Sequence, residues 1–600
     1  VSRLDPQPSL EDPSKAGATR PGGQGPNRQM PVMDRAQAQP MRPLDQQSAA
    51  PQLSDMNYDN VEPMRQNEAP TEENKDWLSL SREAYETSTD WYKADLYRQW
   101  TRNISNFKSN HPSGSKYHTT TYKFRSKMFR PKTRSSVRKI EAAVVSSLFS
   151  NHDLINLKAQ NQLDPAQVAS AALYTELIQE RLDNTLHWFH IVVGATQDAS
   201  IYGTVISYQE WDYNESLEID QPHIQLVPLE NIRLDRGASW MDPVNSSPYF
   251  IQLVPMYIGD VIAKMSSNDT KTGQAQWKRL TKDQLRSCHR EDYDGLRSQR
   301  HAPQTDPVSD QRTAPIKEFD LVWIHRNFMR VDGKDFMFYT AGTQFLLSEP
   351  IPTRQAYPHL MRGTRPYAMG TLSLEAHRVH AESGVQLGQN LQSIANDIAN
   401  RRHDNVMLSM DKRFIIKREA NIDRDALFRS APGGAVETDD PNTDFKVIDS
   451  GDVTSAAYQE QDRVNADFDD LMGTFNQGSV QTNRKMNETV GGLQLAASSA
   501  DGLTDYQVRT LLTTWAKEVI KQLLKLEQHY ETDTYRMAVA ADKANILQKF
   551  GVDKVTDDML RADLTVDVNV GIGATDPMRR IDSVMMGVQS ISQLPGVAER

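Results

Sequence analysis

The chain has 600 residues, of which 38% are hydrophobic and 24% charged, a composition that fits several globular domains and excludes a fibrous or low-complexity protein. Sixty-eight basic residues against 79 acidic ones leave a formal net charge of −11, which argues against a protein that coats nucleic acid tightly. Cys288 is the single cysteine, so an internal disulfide framework and cysteine-rich zinc sites are excluded, and no run reaches the roughly eighteen apolar residues of a membrane span. A soluble protein assembled in a reducing cytoplasm is the expectation.

Residues 1–72 form the first segment. Up to residue 70 it holds eleven of the thirty prolines and no aromatic before Tyr58, too little apolar surface to offset its chain entropy, so it is expected to be disordered by itself. From Asp76 to Trp100, Trp77, Tyr85, Trp91, Tyr92, Tyr97 and Trp100 sit among charges as an amphipathic helical segment. The bases Lys123, Arg125, Lys127, Arg130, Lys132, Arg134, Arg138 and Lys139 follow, leading through Pro131 into a helix with Val137, Ile140, Val144 and Leu148 on one face. This basic patch suits phosphates, but without interleaved reader motifs a solvated helix start with partner carboxylates is favoured.

Asp164-Pro165 caps a further helix. On the apolar stretch after it, His187 and His190 could in principle share a metal. They lack a carboxylate or thiol at ligand spacing, which favours packed or hydrogen-bonded histidines. Residues 223–228, 231–235 and 249–254 read as strands. Residues 266–316 are a polar insertion in which Cys288-His289 makes no catalytic pair. Strands resume at Phe319–Ile324, and Val331-Asp-Gly-Lys334 is a hairpin turn.

The chain is organised around residues 379–530. In a first helix, 379–411, Leu387, Leu391, Ile394 and Ile398 recur at spacings of four, three and four, which predicts one packed face. A turn-rich β excursion, 412–451, follows, and then a helix, 452–473, whose Asp452, Glu460, Asp462, Asp467, Asp469 and Asp470 stand against the single base Arg463. A polar loop, 474–487, leads to a long helix, 488–535, with Val508, Leu511, Leu512, Trp515, Val519, Leu523 and Leu526 on one face. In the remainder, 536–600, Leu564–Val570 alternates as a strand, and Gly571-Ile-Gly-Ala-Thr575 lacks the residues of a nucleotide-binding loop.

This order of parts resembles the portal protein of tailed double-stranded DNA bacteriophages, of the short-tailed (podovirus) type. The residues that carry the resemblance are Ser126-Lys-Met-Phe-Arg-Pro-Lys-Thr-Arg134, Gly370-Thr-Leu-Ser-Leu-Glu375, Asn396-Asp-Ile-Ala-Asn-Arg-Arg-His-Asp-Asn405 and Glu488-Thr-Val-Gly-Gly492. The resemblance implies an α+β portal fold. Residues 73–378 would be the wing, 379–411 and 452–473 the two stem helices, 412–451 the clip, 474–487 the tunnel loop, 488–535 a long wing helix and 536–600 a C-terminal wing or crown segment.

It further implies a homo-oligomeric ring of twelve copies around double-stranded DNA. The partners would be the major capsid protein, scaffolding protein, the large terminase and then the head-to-tail adaptor, at the capsid vertex of the virion after assembly in the host cytoplasm. The implied sites are Asn483, Arg484 and Lys485 in the tunnel loop, and Arg413, Lys417, Arg418, Arg424 and Arg429 in the clip. Glu460, Asp462, Asp467, Asp469 and Asp470 would make a negative channel wall that lets phosphates slide. The stem bases Arg401 and Arg402 would touch DNA or else pair with the acidic helix of a neighbouring copy, and Arg484-Lys485 would touch DNA or be an exposed loop pair. The N-terminal arm would wrap capsid neighbours or stay solvated.

No NTPase loop, zinc-protease, serine-hydrolase or zinc-cysteine motif occurs, and neither an enzyme nor a cofactor or metal is expected. Two other readings stay open: another virion structural protein, such as a tail or internal ejection protein, and a metal-dependent nuclease.

Overall fold

A computed structural model describes residues 76–149, 155–214, 219–266, 276–288, 296, 300, 320–410, 413–418, 422–428, 437–440, 444–448, 454–473, 502–531 and 564–568. The arm 1–72, most of the polar insertion, the loop 474–487 and the last thirty-two residues, 569–600, lie outside them. The described residues mix helices with antiparallel sheets, an α+β fold.

Helices α1 (Trp77–Trp91) and α2 (Tyr97–Phe107) are joined by one π-turn, Tyr92–Leu96, inside a continuous helical run. Asp76 caps α1 by accepting from the Ser79 amide at 3.2 Å, which satisfies one of the donors a helix start leaves open. The aromatics expected here are packed: Trp100 lies edge-on to Tyr202 at 5.7 Å, and Trp77 meets Phe336 at 5.0 Å. Helix α3 (Lys132–Phe149) buries Val137, Ile140, Val144 and Leu148, the stripe read from the sequence. Helices α4 (Pro165–Glu180) and α5 (Trp188–Tyr202) follow, and His187 and His190 stand edge to face, 5.9 Å apart and exposed, at the start of α5.

The β-layer has two sheets. One is β10 (Tyr367–Gly370), β2 (Val205–Asn214) and β3 (Ile219–Leu226) in that order. The other runs β4 (Ile232–Leu234), β5 (Tyr249–Tyr257), β6 (Leu321–Val331), β7 (Lys334–Ala341) and β8 (Phe345–Leu346), with β9 (Ile351–Pro352) on β7. Between β6 and β7, Asp332 and Gly333 both have positive φ, 52° and 71°, the two-residue turn that matches strand twist.

A final long helix, 502–530, contains another π-turn, Leu512–Ala516, before α8 (Lys517–Tyr530). The wider turn seats Trp515 in the core, where it stacks on Trp188 at 5.6 Å and donates to Ser207 Oγ at 2.8 Å. Gly370 lets this happen, since a Cβ there would stand 2.4 Å from Trp515 Cβ. The strand expected near residue 564 is β13 (Leu564–Val568), paired with β1 (Ile155–Ala159), which the sequence reading did not anticipate.

Candidate functional site

Helix α6 (Gln389–Met410) and helix α7 (Thr454–Met472) lie side by side and antiparallel. Phe468 packs near Gly388, and Arg402 reaches Gln461 at 2.6 Å and covers the Tyr458 ring at 4.4 Å, so the register falls as α6 rises. Between them the chain makes a small antiparallel pair, β11 (Arg413–Ile416) with β12 (Phe445–Ile448), and a bridge from Ile422 to Thr438.

The inner face of α6 differs from the expectation. Its buried residues are Gln392, Ala395, Asn396, Ala399 and Asn400, whereas Leu387 and Ile394 are 48% and 45% exposed and Leu391 and Ile398 are half-buried. The apolar stripe is therefore packed within the chain only in part, through Leu391, which lies against the core. The reason lies in residues 126–131, which run along α6 as a strap into the first turn of α3. The Ser126 amide donates to Asp404 Oδ1 at 2.9 Å, Met128 to Asn400 Oδ1 at 2.7 Å, Arg130 to Asn396 Oδ1 at 2.9 Å and Thr133 to Gln392 Oε1 at 3.0 Å. Asn400 and Gln392 return donors to the Met128 and Arg130 carbonyls, at 2.8 and 2.6 Å. Four helical residues rise about 6.0 Å and two extended ones about 6.6 Å, so Asp404, Asn400 and Asn396 meet every second residue of the strap, and Gln392 meets Thr133 in the first turn of α3. The helix is polar on this side because its partner is backbone, whose buried groups need hydrogen bonds.

Charge follows the same geometry. Lys116 and the Tyr117 hydroxyl both bond Asp397; burial opposes ionisation, but these bonds and the Lys116 charge outweigh it and hold the carboxyl below its ordinary range. Burial is the main cause that lowers the Arg130 pKa, helped by repulsion from Arg402 and countered by the Asp462 charge.

A family model described as the phage SU10 portal protein matches residues 214–599, well over half of the chain. The chain belongs to the phage SU10 portal protein family. It is thus a phage portal protein, and the match is consistent with the podovirus type. No curated protein matches the chain.

In this portal protein, Asn483, Arg484 and Lys485, expected in the tunnel loop, and Arg429, expected in the clip, lie outside the described residues. Arg413 begins β11, and Lys417, Arg418 and Arg424 are exposed around the β11–β12 pair. The acids on α7 are divided. Asp469 is 4% exposed and bonded to Lys132 Nζ at 2.7 Å, so its charge is neutralised inside the subunit, and it is removed from the channel wall expected of it. Glu460, Asp462, Asp467 and Asp470 are exposed. Arg401 is exposed without an ion pair to any described residue, while Arg402 is spent on α7 of its own chain. Sequence reasoning missed the Gln392–Asn396–Asn400–Asp404 ladder. The signal was present as carboxamides and a carboxylate at strict four-residue spacing on a helix.

Proposed function

We propose that this portal protein closes into a ring, twelve copies by resemblance, at one capsid vertex, and that double-stranded DNA passes through its centre during packaging and ejection. The observation that carries the reading, beyond family membership, is the exposure of Leu387, just before α6, and of Ile394 on it, 48% and 45%. Large apolar side chains turned to water in the single chain are stabilised when a neighbour covers them.

In this reading α6 and α7 are the stem and the β11–β12 pair is the clip. Lys417, Arg418 and Arg424, with Arg413 and Arg429, would meet the large terminase and afterwards the head-to-tail adaptor. The channel wall would be drawn from Glu460, Asp462, Asp467 and Asp470, whose charge repels phosphates and keeps DNA mobile. Asn483, Arg484 and Lys485 would form the tunnel loop that touches the DNA backbone. The wing would face the major capsid protein and the scaffold, and the motor chemistry would belong to another chain.

The test is the mass and shape of the purified protein by native mass spectrometry and negative-stain class averages. A closed ring of about a dozen 67.9 kDa chains with a central hole is expected. Failure to form rings even with scaffolding protein co-expressed would turn the reading to a tail or ejection protein.

A further inference from the structure

Strand β13 has one edge on β1 and the other on a groove. The Leu157 amide of β1 donates to Thr175 Oγ1 of α4 at 3.2 Å, away from β13. Leu157 and Val566 stand opposite each other, so they are the kind of antiparallel pair that exchanges no bonds. The backbone N–H and C=O of Val566, and by the same alternation those of Leu564 and Val568, therefore point away from β1. Among the described residues no second strand takes them up. Val566 is 1% exposed, so water serves its peptide groups poorly, and buried peptide groups without partners cost stability. The strand, Leu564-Thr-Val-Asp-Val568, has neither lysine nor proline, the residues that commonly blunt an open edge.

This edge borders a groove of about 420 Å³ between β13, α8 and residues 360–364. Its floor is aliphatic, made by Leu360, Met361, Leu524, Leu564 and Val566, and Met361 is 65% exposed. Its wall is a row of bases, Lys517, Lys521 and Lys525, at four-residue spacing along one side of α8. Glu518 is the acid that lines it, and it bonds Lys521 at 3.0 Å. Three bases against one acid leave the groove positive.

We propose that this groove receives an extended, acidic segment of a partner protein, which adds to β13 as a third strand. Main-chain bonds to the outward groups of Val566 supply the attachment, and the lysines supply the preference for carboxylates. A nucleic acid fits less well. No aromatic side chain lines the groove for a base to stack on, and a phosphate backbone has no alternating N–H and C=O to offer a strand edge. None of these residues belongs to the stem, clip or tunnel loop of the ring reading.

Fluorescence anisotropy with the full chain tests this, using a fluorescein-labelled octapeptide of alternating glutamate and valine, its lysine–valine counterpart and a double-stranded oligonucleotide. The acidic peptide is expected to bind. Lys517→Glu combined with Lys521→Glu should weaken it about tenfold at low salt, and less at high salt. A strand presents every second N–H to its neighbour, so N-methylation of one alternate set of peptide amides should abolish binding and of the other set should leave it. Circular dichroism melts of the variant separate loss of binding from loss of folding. Absence of binding, equal binding of the lysine–valine peptide, unchanged affinity in the folded lysine variant, or equal effects of the two methylation sets would each overturn the proposal. Oligonucleotide binding that the lysine reversal removes, with no peptide binding, would overturn it in favour of phosphates.

Discussion

Asn400→Ala tests whether carboxamides hold the strap. Asn400 is 2% exposed, accepts from the Met128 amide at 2.7 Å and donates to the Met128 carbonyl at 2.8 Å, so truncation leaves both backbone groups of one residue without these partners in a partly buried place. At about 1 kcal/mol of net stability per hydrogen bond, the strap loses about 2 kcal/mol of attachment. That raises the detached fraction about 30-fold, since about 1.4 kcal/mol is a factor of ten. Limited trypsin digestion reads this directly, because Lys123, Arg125 and Lys127 are cleavable once the strap leaves α6. When detachment is fast relative to cleavage, the cleavage rate follows the detached population. The control is Asn390→Ala, an exposed asparagine on the same helix. Equal cleavage of the two variants at these sites, with both subunits folded, would refute the ladder as the strap's anchor.

Three further outcomes are expected. Gly370→Ala drives a methyl against Trp515 Cβ and to 2.9 Å from the Trp515 amide, atoms that cannot rotate away, so a loss of about 3 kcal/mol is expected in urea unfolding followed by tryptophan fluorescence. Arg181→Met leaves Glu527, which is 0% exposed and bonded to Arg181 at 2.9 Å, without its counter-charge. The expected cost is about 3–5 kcal/mol, and Arg181→Met combined with Glu527→Gln should cost clearly less than the single change. His380 sits between Trp91 and Trp100, at 5.7 and 5.5 Å, and burial lowers its pKa from 6.5 to about 4. The unfolded chain takes up this proton below pH 6.5 and the folded one does not, so stability falls as pH drops from about 6.5 towards 4. His380→Phe should flatten that slope in melts taken across the same range.

Hydrophobic period was a good guide where a helix met other side chains. Val137, Ile140, Val144 and Leu148 of α3, and Val508, Leu511, Trp515, Val519 and Leu523 of the last long helix, are buried as their spacing predicts. The limits of α7 and the hairpin at Asp332-Gly333 were legible for similarly local reasons. The same rule chose the wrong inner face of α6. There the covering partner is a peptide backbone, which selects carboxamides, and Leu387 and Ile394 are left exposed in the single chain. The acids of α7 could be counted in the sequence but not sorted, because the pairing of Asp469 with Lys132 joins residues 337 positions apart. The portal family itself was legible in the segments 370–375, 396–405 and 488–492, which lie within the matched residues 214–599, whereas 126–134 lies before them.

The ladder also sets how this joint responds to temperature. Parting it exposes amides and peptide groups, whose hydration lowers heat capacity, whereas parting α8 or α3 from the core exposes apolar surface and raises it. Cooling weakens the apolar cores and leaves the polar joint with its own, opposite curvature. The strap and the body it belongs to are thus held by forces with different thermal signatures, and a cold sample loosens them in a different order from a warm one.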